Sequence, residues 1–115
     1  MSEAREQVAL AMALDKARLR WCHVPNGGKR DRRTAELMKA SGVKSGVPDV
    51  FIFDAPPALP SARGVALELK ARTGDLSPEQ REWLGALGAL GWVTVVAWGA
   101  EDAAARLRAL GFAVG

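Results

Sequence analysis

The sequence predicts an α/β fold, a mixed β-sheet flanked by helices. Three observations lead there. Short apolar runs rich in β-branched and aromatic residues, "DVFIFD", "VALELK" and "WVTVVAW", read as buried strands. They alternate with stretches of helical period, of which "LSPEQREWLGALGALG" is the clearest. At 115 residues, 49% hydrophobic and 25% charged, the chain has material for one core and one domain over residues 1–115.

Taken in order, Ser2 is an N-cap for a first helix running to about Arg20, with Val8, Ala11, Met12 and Leu19 as its inward stripe. "WCHV", residues 21–24, reads as a short strand stopped by Pro25-Asn26-Gly27-Gly28. "TAELMKAS" reads as a short helix ended by Gly42. "DVFIFD" lacks alternation, so burial on both faces is expected. "APPALPSARG" carries three prolines, which remove donors and fix φ, and is therefore a loop before the strand "VALELK". In the next helix Ser77 caps, Pro78 takes the first helical position and Gln80 completes a capping box. Trp83, Leu84, Leu87 and Leu90 form its apolar face, and Gly91 ends it. "WVTVVAW" is a buried strand, "EDAAARLRAL" a helix and "FAV" a last short strand.

Composition narrows the function classes. A lone Cys22 excludes an intramolecular disulfide and a Cys-rich zinc site. No apolar run is long enough to span a membrane, and the N-terminus lacks a signal-peptide layout, so a soluble cytoplasmic protein is expected. The net charge of +3 is uneven: residues 1–44 hold ten Lys/Arg against five Asp/Glu, residues 45–115 six against eight. The densest basic patch, "GGKRDRR", attracts polyanions or is a solvated loop; charge alone leaves both open.

Two acids and a lysine stand in the apolar strands. Glu68 and Lys70 point to one face of their strand, Leu67 and Leu69 to the other. If the strands pair as a hairpin across the Pro-rich loop, Asp49 and Glu68 come together. Two close carboxylates repel unless a proton or a cation lies between them, and such oxygen ligands suit Mg²⁺ or Mn²⁺. A lysine two residues on can orient a water or neutralise charge at a phosphate. For an isolated Glu-x-Lys a strand-end ion pair with a turn-capping aspartate is the commoner explanation. The surrounding Pro-Asp strand start, gap and capped helix weigh the other way.

With these residues in view, the sequence resembles the VRR-NUC branch of the PD-(D/E)xK nucleases, whose restriction-endonuclease-like core is an α/β sheet fold. The superfamily signature falls on Pro48-Asp49 and Glu68-Leu69-Lys70, and Gly74 to Gln80 matches a "G-x-L-S-P-x-Q" helix start. Ser2-Glu3, Glu6-Gln7 and the stretch from Pro25 to Asp49 match further segments of phage-type members. The Val-Arg-Arg run that names the family is absent; Arg32-Arg33 follow Asp31.

The resemblance implies a Mg²⁺- or Mn²⁺-dependent deoxyribonuclease. Glu3, Asp49 and Glu68 would hold the metal with the backbone carbonyl of Leu69, Lys70 would act on the attacking water, and Gln80 would line the site. The capping box also accounts for Gln80, and the two roles are compatible. Glu3 is preferred to Glu6, one turn away, because the family places the acid four residues before the glutamine, here Gln7. Asn26, Lys29, Arg30, Arg32 and Arg33 are the candidates for phosphate contact. The family further implies branched DNA, a four-way-junction resolvase-like endonuclease, a homodimer and a bacterial or phage-infected cytoplasm. The alternative is a DNA-binding module on the same fold without cleavage. Cys22, His23 and the four tryptophans read as packing residues.

Overall fold

The computed structural model describes residues 2–25 and 30–115. Its elements are α1 (Glu3–Lys16), β1 (Trp21–His23), α2 (Arg32–Ala40), β2 (Val50–Ile52), β3 (Val65–Lys70), α3 (Pro78–Ala89), β4 (Val93–Trp98) and α4 (Ala100–Ala109). One four-stranded sheet has the order β1-β2-β3-β4. The β1–β2 and β2–β3 pairs are antiparallel, and β3–β4 is parallel with α3 as the crossover. Among the described residues no helix is long and apolar enough to cross a membrane.

The register decides the two faces. Val50, Leu67 and Val95 stand side by side, as do Ile52, Val65 and Val93. With Leu69 and Ala97 they face Leu10 and Leu14 of α1 and Ala103, Ala104 and Leu107 of α4, all in one core cluster. A leucine buried as completely as Leu10, Leu14 or Leu107 contributes about 1.5–3 kcal/mol. The opposite face of β3 carries Ala66, Glu68 and Lys70, and Glu68 is the one buried charged residue among those described. Helix α3 lies on this side.

β3 and the start of α3 follow the sequence reading closely; other elements differ from it. Helix α1 ends four residues short of Arg20, because Arg18 adopts φ 59° and the Leu19 N–H turns back to Leu14 O at 3.3 Å. Its inward stripe is Leu10 and Leu14, with Ala13, Ala17 and Leu19 beside them. Val8 and Met12 are 60% and 69% exposed. "VALAMAL" is apolar on every side of a helix, so its period does not fix which side turns inward. Helix α2 begins earlier than expected, capped by Asp31, whose carboxylate accepts from Thr34 N–H at 2.7 Å; it buries none of its residues.

β2 is only three residues long, although single bonds from Val24 N–H to Asp49 O and from Phe53 N–H to Arg20 O continue its pairing at both ends. Leu90, expected on the inner face of α3, is 62% exposed at the C-cap. β4 is an edge strand with Thr94 and Trp98 exposed, rather than buried throughout. "FAV" is not a strand. Phe112 and Val114 are buried, but the backbone there closes α4 through Phe112 N–H to Leu107 O at 3.1 Å and has no neighbouring strand.

Candidate functional site

The stretch "GVPDV" is shaped by its contacts. Gly46 has φ +90°, and a Cβ there would stand 2.6 Å from the Glu79 backbone, so the loop lies hard against the first turn of α3. Pro48 is fully buried. The antiparallel register, Val50 opposite Leu67, then carries Asp49 to the position opposite Glu68. Asp49 Oδ2 accepts the Leu69 N–H at 2.8 Å, which fixes its carboxylate against β3.

Glu68 is 2% exposed. Its carboxyl is pushed up to about 9, chiefly by burial and then by a hydrogen bond with Asp49 and the Asp49 charge, with a smaller push from Glu3 and Lys70 opposing them. A carboxyl in that range is neutral at pH 7, with its proton shared toward Asp49. Glu68 Oε1 finds no protein donor among the described residues. Once that proton is lost, the oxygen is a buried carboxylate oxygen without a donor facing a second carboxylate, an arrangement that a cation in the proton's place would satisfy.

Gln80 ties the helix start to this acid. Its Oε1 accepts from Ser77 N–H at 2.8 Å and from Lys70 Nζ at 3.3 Å, and its Nε2 donates to Glu68 Oε2 at 3.2 Å. The capping box with Ser77 is complete at the same time. One side chain therefore caps α3 and binds both Glu68 and Lys70. Lys70 forms no ion pair with Glu68, contrary to the ion-pair explanation; its partner is the glutamine oxygen. Gly74 is drawn against the lysine stem, and a Cβ there would lie 3.2 Å from Lys70 Cε.

The two N-terminal acids have different surroundings. Glu6 Oε2 accepts from Ala100 N–H at 3.3 Å, serving an α4 start whose N-cap Gly99 has no side chain to offer. Glu3 is exposed and acts on Glu68 through its charge. Among the described residues no three His, Cys, Asp or Glu side chains converge on one point. The donor set is a carboxylate pair with an acid at longer range, which suits an ion that keeps several waters, as Mg²⁺ does. Leu69 is 1% exposed with its side chain in the core, so only its carbonyl is available to a ligand.

Among the described basic candidates, Arg30 and Arg32 have partners other than Glu3, Asp49 and Glu68. Asn26 and Lys29 fall outside the described residues. Arg30 is exposed and donates to Pro25 O at 3.3 Å. Arg32 and Arg33 open α2, where Arg32 pairs with Glu36 at 3.2 Å in full solvent, a contact of little energetic weight. A cavity of about 470 Å³ between Arg30, Met38, Lys39 and Val43 contains none of the acids.

Three packing expectations fail. Cys22, on the edge strand β1, is exposed. His23 is exposed as well, its Nδ1 3.0 Å from Asp49 O, and so steadies the backbone of the acid. Trp98 is 41% exposed, whereas Trp92 packs edge-on against Phe51 and Phe53. Only Trp98's place at a strand end, directly before Gly99, hinted at this.

A family model described as the VRR-NUC domain matches residues 1–101, a span that holds every acid named above, Lys70 and Gln80. The chain belongs to the VRR-NUC domain family. Among solved structures, one titled "VRR_NUC domain protein" matches with a TM-score of 0.74, covering 96% of this chain and 88% of that chain at 24% identity. That likeness shows the fold. A search of the curated proteins finds no match. The VRR-NUC domain is a nuclease-type domain, and DNA is the substrate class it implies.

Proposed function

We propose that this VRR-NUC protein is a Mg²⁺- or Mn²⁺-dependent DNA endonuclease that hydrolyses phosphodiester bonds at branched DNA, acting as a homodimer. One observation carries the metal-dependent part: the buried Glu68 carboxyl, opposed to Asp49 with one oxygen lacking a donor. Asp49, Glu68 and the Leu69 carbonyl would hold the ion, with Glu3 reaching in from α1. When bound, such an ion supplies Lewis acidity toward a phosphoryl oxygen and makes a water more acidic.

The chain's own residues do the rest. Gln80 holds the Glu68 oxygen and the Lys70 ammonium in one orientation, so neither has to reorganise during reaction. Lys70 donates to the attacked phosphate as negative charge grows on its oxygens. The water oxygen bonds to phosphorus while the bond to the 3′-oxygen breaks. The proton the water gives up passes to bulk solvent and the leaving 3′-oxygen takes one from solvent, giving a 5′-phosphate and a 3′-hydroxyl. Arg30, Arg32, Arg33, Lys29 and Asn26 contact phosphates away from the cut. A domain with one site cuts two strands most simply as a twofold pair, with the 32–45 segment or the 55–63 loop as candidate contact surfaces.

The test is a cleavage panel of linear duplex, flap, single-strand and four-way-junction DNA with Mg²⁺, Mn²⁺ or chelator. Metal-dependent cuts, symmetric on the junction, are expected. DNA binding without any cleavage under either metal would leave the binding-module alternative standing. Light scattering with DNA present should give a dimer mass; a monomer would exclude the paired arrangement.

A further inference from the structure

The carboxyl ends of β3 and β4 open onto a second feature. Lys70 and Trp98 are register partners on parallel strands, so their side chains leave the same face of the sheet as Glu68. The indole N–H donates to Gly74 O at 2.8 Å and the Trp98 backbone N–H to Asp102 Oδ2 at 3.0 Å. Both polar handles are thus occupied, and what remains open to solvent is ring surface. Beside it lies a cavity of about 250 Å³ lined by Glu6, Arg72, Trp98 and Gly99. Arg72 is exposed and has no hydrogen-bond or ion-pair partner among the described residues.

We propose that Trp98, Arg72 and Glu6 form a subsite for one unpaired nucleobase adjacent to the phosphate being cut. The inference rests on the nuclease reading and adds to it a preference for DNA whose bases are exposed. A fixed indole offers a stacking surface that accepts any base. Arg72 supplies donors for base acceptors, and Glu6 keeps lone pairs for an exocyclic amino group. The Glu6 carboxylate also disfavours a phosphate in this cavity, so a base fits better than the backbone. Bases inside a duplex are stacked on both sides and unable to enter; unpaired or flipped bases can. Open α/β sheets bind ligands at such strand ends.

The test uses the 115-residue chain carrying Asp49→Asn, so that binding is measured without cleavage. Affinity for a single-stranded oligonucleotide and for a duplex of the same length is compared between Trp98, Trp98→Leu and Trp98→Phe. Trp98→Leu should lose about tenfold in affinity for the single strand and little for the duplex. Trp98→Phe keeps a ring but not the bond to Gly74, and should bind the single strand within about twofold of the parent. Equal losses in Leu and Phe variants would assign Trp98 to holding the 71–77 loop and overturn the subsite. Unchanged single-strand affinity in Trp98→Leu would overturn it too, while leaving the nuclease reading intact if the wild type cleaves. Absence of any DNA binding by the parent would sink both.

Discussion

Replacing Glu68 by Gln should stabilise the metal-free protein, and by an amount that grows with pH. In the unfolded chain this carboxyl ionises near 4.5; in the folded protein it holds its proton up to about 9. Between those values the folded state binds the extra proton, so stability falls as pH rises, by about 1.4 kcal/mol per pH unit. From pH 5 to pH 7 the cost reaches about 2–3 kcal/mol. Gln is the neutral isostere: its amide can still accept from Gln80 Nε2 and donate toward Asp49, and it has no proton to lose. The assay is urea unfolding in chelator at pH 5, 6, 7 and 8, wild type against Glu68→Gln. Taking the difference between the two cancels other titrating groups. The gap should widen by about 2 kcal/mol or more across this range, on the order of 10 °C in Tm at pH 7. A gap independent of pH would mean that Glu68 is ionised in the folded protein, and the shared-proton description would fall. Adding Mg²⁺ should reverse the order, stabilising wild type but not the variant.

Asp49→Asn should lower cleavage by at least about 100-fold with the fold retained, and Lys70→Ala should lower kcat by a similar factor with little change in metal affinity. Single-turnover rates against metal titrations separate the two effects. Gln80→Glu keeps an acceptor for the capping box but loses the amide donor to Glu68 and adds a third acid. Helix α3 should persist by circular dichroism while activity falls steeply; wild-type activity would confine Gln80 to capping. Neutralising Arg30, Arg32 or Arg33 should weaken binding to all DNA sequences alike and reduce the salt slope by about one unit per lost contact. Gly46→Ala forces a Cβ into the Glu79 backbone at a positive φ, so a loss of about 2 kcal/mol or more is expected in thermal unfolding.

Sequence reasoning succeeded where one local signal decided the outcome. Ser77, Pro78 and Gln80 specify a helix start by hydrogen bonding within four residues, and α3 begins there. The two-residue period of a strand was enough to put Glu68 and Lys70 on one side, and antiparallel pairing brought Asp49 opposite. It failed where the answer depended on neighbours distant in the chain. Nothing local distinguishes Leu10 from Val8 in "VALAMAL"; the α4 residues that cover Leu10 and Leu14 come some ninety positions later. "FAV" is apolar because it is buried, and burial without a partner strand looks the same in sequence. The family's spacing alone favours Glu3 over Glu6, and nothing local foretells that the Ala100 N–H, more than ninety positions away, bonds Glu6.

The parts of the acid site differ in how firmly the fold holds them. β3 is bonded to a strand on each side and buried along nearly its whole length, so its amides should be among the last to exchange with solvent. Glu3 occupies the first helical position of α1 and is exposed, in a turn capped by Ser2 and tied to α4 by the bond from Ala100 N–H to Glu6. Helix ends open far more often than central strands. Glu68 is therefore presented almost continuously, while the charge from α1 arrives only when its first turn is closed. Fraying of that turn, which also releases the α4 start from Glu6, would moderate how strongly the proposed site attracts a cation.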